Sequence, residues 1–147
     1  MKASEIMVKD WLRIQYKNMA GTLIEKIFQV GHIEDYNSFP HEEKGVYYIF
    51  AKGKEHGNMG KIENMMGVPL TGEILKLNDF DFLGEEYHYY TFQSGEPYIN
   101  IYKSDECWEC SLTNKYVELK LTLQYVHELQ HALRLCGLSD MADNFKL

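Results

Sequence analysis

The chain has 147 residues, 45% of them hydrophobic and 14% aromatic, with a formal net charge of −7. That is enough apolar material for one domain with a respectable core, or two very small ones, and too much for a disordered segment. The acid excess, with an isoelectric point near 5.3, speaks against a non-specific nucleic-acid binder, which needs a basic face to neutralise phosphates. Residues 1–10 lack the apolar core of a signal peptide and no stretch approaches the ~18 apolar residues of a membrane span, so a cytoplasmic protein with no membrane partner is expected.

In chain order, residues 3–8 read as one helical turn capped by Ser4, followed by a short alternating strand at 10–14. A polar turn at 15–20 leads to a second strand at 21–28, the opening rhythm of a small SH3-like β-barrel. Residues 31–45, interrupted by Pro40, read as a loop with a weak strand near 32–36. Residues 46–50 form the clearest strand of this half, and 52–60, with three glycines and an exposed His56, read as a mobile loop.

Pro69 marks a boundary between an SH3-like subdomain at 1–68 and a second part at 69–147, expected to form one compact unit. Thr71 is a good N-cap for a two-turn helix through Ile74, Leu75 and Asn78 that leads to Phe80 and Phe82. Strands at 86–92, 98–102, 107–112 and 116–121, with turns at 94–95 and 114–115, then make an antiparallel meander. Their alternation leaves one apolar face to be covered, and a closing helix at 122–136 is the cover. The fold class is α+β: barrel, connecting helix, and an antiparallel sheet under a C-terminal helix. Tyr87, Tyr89, Tyr90, Tyr98 and Tyr102 invite reading as a stacking platform, but alternate tyrosines are also what a half-buried sheet favours.

The closing helix carries apolar side chains at Tyr125, Val126, Leu129, Ala132, Leu133 and Cys136, and Gly137 ends it. Within it His127-Glu128-Leu129-Gln130-His131 matches the zinc-hydrolase signature H-E-x-x-H. Residues four apart share a helix face, so both imidazoles reach one metal while Glu128 serves as general base. At about 100° per residue both histidines point away from the apolar stripe, towards a cleft or towards solvent. Catalytic zinc takes three protein ligands. The metzincin position for the third is Gly137, which has no side chain, and residues 132–147 hold no Glu and are too short for another packed helix. Asp140 and Asp143 remain as candidates. A three-residue motif arises by chance in roughly a few per thousand chains of this length, and a structural helix is the expectation.

The three cysteines, Cys107, Cys110 and Cys136, fit reduced thiols. Cys107 and Cys110 with His127 and His131 form a second zinc set, this one structural. A strand at 107–112 opposes it, because it turns the two cysteines to opposite faces.

Three segments, ASEIMVKDW at 3–11, VPLTGEILKLNDF at 68–80 and YVHELQHALRLCGL at 125–138, resemble a group of small uncharacterised proteins encoded by phages, prophages and mobile elements of Bacteroidales-type bacteria. The group commonly has Gly where this chain has Lys9. The resemblance implies no established activity, and proteins that look similar carry the closing helix with amides in place of the motif's Glu or second His. The expected function is therefore a non-catalytic accessory protein without a cofactor, binding a host protein or a small ligand such as a nucleotide signal of host defence. The alternatives are a minimal zinc hydrolase with Glu128 as base and a structural zinc module. An exposed aromatic face would also suit a homo-oligomer.

Overall fold

The computed structural model describes residues 5–35, 47–53, 58–89, 97–113 and 118–147. Helices and antiparallel sheets are both present, an α+β architecture, and the chain divides into two units, Met1–Val68 and Pro69–Leu147. Ser4, Pro40, His56, Tyr90 and the turns at 94–95 and 114–115 lie outside the described residues.

The first unit is an antiparallel sheet of β1 (Trp11–Lys17), β2 (Leu23–Asp35), β3 (Tyr47–Ala51), β4 (Asn58–Lys61) and β5 (Met65–Gly67), in the order β4-β3-β2-β1-β5. A 3-10 turn, Ile62–Asn64, precedes β5, which returns to pair with β1. Among the described residues no ladder joins β4 to β5, so the sheet is open there. Alternation sends Leu12 and Ile14 of β1 inward, onto a core with Phe28, Val30, Ile49 and Met65.

Two expectations are corrected here. β2 does not stop at Phe28 but runs on to Asp35, joining the strand expected at 21–28 to the weak strand expected near 32–36. A register shift falls between Val30 and His32, and Gly31 sits at it. A Cβ on Gly31 would come to 3.0 Å from the Ala51 carbonyl and the Lys52 backbone, so glycine lets the strands stay close through the irregularity. The glycine-rich stretch after Lys52, read as a loop, contributes β4 as an edge strand.

Lys9 has φ 70°, in the left-handed region. The conformation is fixed by its neighbours: the Lys9 N–H donates to the Val30 carbonyl at 2.7 Å, and the Asp10 carbonyl accepts from the Val30 N–H at 2.8 Å. Asp10 is fully buried, and its carboxylate accepts from the Met7 N–H at 2.7 Å.

The second unit begins with α1 (Gly72–Leu77), whose cap Thr71 accepts the Ile74 N–H through its hydroxyl at 3.3 Å. A five-stranded meander follows: β6 (Asp81–Leu83), β7 (Glu86–Tyr89), β8 (Tyr98–Lys103), β9 (Trp108–Thr113) and β10 (Glu118–Leu123), each paired with the next. β6 was not anticipated. It is too short to show alternation and pairs through the tight turn at Gly84, φ 66°. Register puts Phe82, Tyr87, Ile101, Cys110 and Leu121 in one row on the inner face, and Asp81, His88, Asn100, Ser111 and Lys120 in a row on the outer face.

α2 (Val126–Leu135) follows β10 and buries Val126, Leu129, Ala132 and Leu133. Thr122 and Leu123, expected in the helix, belong to β10. The residues after α2 were expected to be too short to pack. They instead form α3 (Ser139–Asp143), which buries Ala142, and Phe145 beyond it is buried too. Gln130 anchors this segment, its buried side-chain amide donating to the Ala142 carbonyl at 2.7 Å. Among the described residues no helix is long and apolar enough to cross a membrane.

Candidate functional site

Tyr125 is the N-cap of α2, which makes Glu128 the third residue of the helix. Its Oε2 accepts from the Gln124 N–H at 2.6 Å and from the Tyr125 N–H at 3.0 Å. This is the glutamate half of a capping box, in which a carboxylate reaches back over the first turn to satisfy backbone donors that the helix leaves without partners. The charge also suits the positive end of the helix dipole. The residue that the signature offers as a base is thus engaged in starting the helix.

The histidines do come together, with ring centroids 5.8 Å apart and planes at 78°. Of the two expected placements, a cleft or solvent, a shared solvated face is not found. His127 is only 4% exposed and stacks on Tyr125 at 5.8 Å with 14° between planes, while His131 is half-buried. The two candidates for a third ligand are placed otherwise. Asp143 Oδ1 accepts from Nε and Nη2 of Arg134, both at 3.2 Å. Asp140 is exposed at the start of α3. Among the described residues no three His, Cys, Asp or Glu side chains converge as a metal-binding group.

The cysteines divide as well. β9 begins at Trp108, leaving Cys107 half-buried in the preceding loop, while Cys110 lies in the inner-face row and is buried. Burial pushes the Cys110 thiol up to about 12, with neighbouring Cys136 adding to the effect, and burial raises Cys136 too. Cys110 is thereby a core side chain. The tyrosines split between faces: Tyr87 and Tyr89 share the inner rows with Ile101 and Ile99, while Tyr98 and Tyr102 stand exposed, so no single platform forms from them.

A cleft that the sequence reading did not single out lies beside the start of α2. It has a volume of about 750 Å³ and is walled by the start of α1, Tyr87, the β8–β9 hairpin, Gln124 and Tyr125. The ladder makes Lys103 and Trp108 direct partners, and the loop between them is closed by the Ser104 N–H donating to the Cys107 carbonyl at 2.9 Å. Trp108, 7% exposed, donates its indole N–H to the Leu70 carbonyl at 2.9 Å and meets the Tyr87 ring edge-on at 5.7 Å. Lys103 Nζ lies 5.8 Å from the indole centroid. On the opposite wall Gly72 leaves space for Tyr87, because a Cβ there would overlap the Tyr87 hydroxyl. Glu73 is held below the usual carboxylate range, by its own backbone N–H first and then by the Thr71 hydroxyl, with Lys76 and Lys103 assisting.

The signal for this cleft was present but dispersed. Lys103-Ser104-Asp105-Glu106-Cys107-Trp108 is an acidic hairpin tip between a cation and an indole, and its partners Gly72 and Tyr87 are distant in sequence. Comparison of the chain with protein-family models, curated proteins and solved structures gives no match in any of the three.

Proposed function

We propose that this chain is a non-catalytic accessory protein of a phage or mobile element, acting in the cytoplasm by binding a small ligand, with the cleft beside α2 as its binding site. The observation that carries the reading is the use of Glu128: its carboxylate caps α2 through two backbone N–H groups, at 2.6 and 3.0 Å. Asp143 is likewise engaged, by Arg134. The cleft supports the binding half of the reading, since its volume of about 750 Å³ lies within the roughly 300–1,000 Å³ usual for small-molecule sites and Tyr87, Trp108 and Tyr125 stand in its otherwise mostly polar walls. The resemblance of three segments to mobile-element proteins supports the accessory role. For the first unit, the 3-10 turn before β5 and the return of β5 to β1 support an SH3-like barrel.

The rival worth testing is the zinc hydrolase, because His127 and His131 are adjacent. Zinc-supplemented protein is assayed against peptide, ester and nucleotide substrates, as wild type and as Glu128→Gln. The proposal expects no zinc-dependent turnover that distinguishes the two. Turnover present in wild type and lost in Glu128→Gln overturns it.

A further inference from the structure

Among the described charged side chains that line the cleft, Glu73, Asp105 and Glu106 stand against Lys103 alone. Trp108 is buried, its indole N–H given to the Leu70 carbonyl and its ring set edge-to-face with Tyr87, so a new partner reaches the ring only where the exposed Lys103 now lies over it. An indole face is electron-rich and attracts cations. The chain supplies one itself: Lys103, directly across the ladder, holds its ammonium 5.8 Å from the ring centroid. Lys103 is exposed, on a flexible four-carbon stem, and a contact of this kind at an exposed position is weak. A better-fitting cation can therefore replace it. Asp105 and Glu106, at the tip of the same hairpin, are exposed on the cleft rim and favour a positive ligand by simple Coulomb attraction.

We infer that the cleft takes a small organic cation, a protonated amine, guanidinium or quaternary ammonium group, which displaces Lys103 from the face of Trp108 and is held by Asp105 and Glu106. This rests on the reading of the cleft as the ligand site. It also makes an anionic ligand, such as a nucleoside polyphosphate, the wrong charge for the lining.

The test is calorimetric titration of the full chain with tetramethylammonium, agmatine and spermidine as cations, and with ATP and inorganic tripolyphosphate as anions. The variants are Lys103→Gln and the double variant Asp105→Asn with Glu106→Gln. All three positions are exposed or at a loop tip, so folding is expected to survive, and circular dichroism checks it. At least one cation binds wild type and the polyphosphates do not. Lys103→Gln tightens that cation by ~3-fold or more, because the internal competitor is gone. The double variant weakens it by roughly tenfold at low salt. Polyphosphate binding that Lys103→Gln abolishes overturns the cation class while leaving the cleft as the ligand site. Cation binding that Lys103→Gln weakens, or that the double variant leaves unchanged, overturns the displacement geometry. No heat with any probe overturns both the inference and the cleft as a small-molecule site, and leaves the absence of catalysis to the zinc assay.

Discussion

Lys9 shows how a single backbone angle connects a sequence pattern to a cost. At φ 70° a side chain crowds its own carbonyl, a strain of about 1–2 kcal/mol that glycine avoids. Glycine loses more conformational freedom on folding, so Lys9→Gly is expected to stabilise by a net ~0.5–1 kcal/mol, read as a higher urea midpoint at constant slope. The hydrogen bonds to Val30 show why the turn is held. Gly72 is the converse case. The Tyr87 hydroxyl occupies the place of a Cβ, and Gly72→Ala is expected to cost ~1–3 kcal/mol by overpacking. Unchanged stability on denaturation would mean that Tyr87 swings aside freely. From the sequence, Gly72 is merely the first residue after a helix cap, since the side chain that makes it necessary arrives fifteen residues later from β7.

At the scale of elements, what was legible was what local chemistry decides. Thr71 capped α1, the apolar stripe of α2 was buried, and β8 and β9 fell close to their expected bounds. What was not legible depended on distant partners. β2 continues past Gly31 because β3 approaches there, β6 exists because β7 pairs with it, and α3 packs because Gln130 and Arg134 of α2 bind its Ala142 and Asp143. The same dependence buried His127, on a face expected to look towards a cleft or solvent. Asn78, the C-cap of α1, ties the end of the chain. Its amide donates to the carbonyls of Ile74 at 2.8 Å and Lys146 at 2.9 Å, and its oxygen accepts from the Lys146 N–H at 2.8 Å. Asn78→Ala is expected to cost ~2–3 kcal/mol, since it strips partners from part-buried backbone groups. Amide exchange at Lys146 and across α3 should accelerate more than in β8 and β9, and uniform acceleration would contradict a local tether.

For the whole molecule, the thiol of Cys110 gives an alkaline limit. It ionises near its ordinary 9.0 in the unfolded chain and only at about 12 in the folded one. Between those values the unfolded state has released a proton that the folded state keeps. Stability is therefore fully present below about pH 9 and falls as pH rises, by up to about 1.4 kcal/mol per pH unit. Cys110→Ala should lower stability at neutral pH yet flatten this decline, and an unchanged slope would assign the alkaline loss to other groups. The rival metal site was legible only as a signature. The residues spelling H-E-x-x-H are there, but the third position of a helix is also where a capping glutamate belongs, and a regular expression does not separate the two. Equilibrium unfolding in the presence of a chelator separates them, for wild type, Glu128→Gln and Glu128→Ala. A capping role predicts Gln within about 0.5 kcal/mol of wild type, because its amide oxygen accepts the same two N–H groups, and Ala lower by about 1 kcal/mol. Glu128→Ala as stable as wild type would contradict the cap and return the carboxylate to the reaction its signature spells.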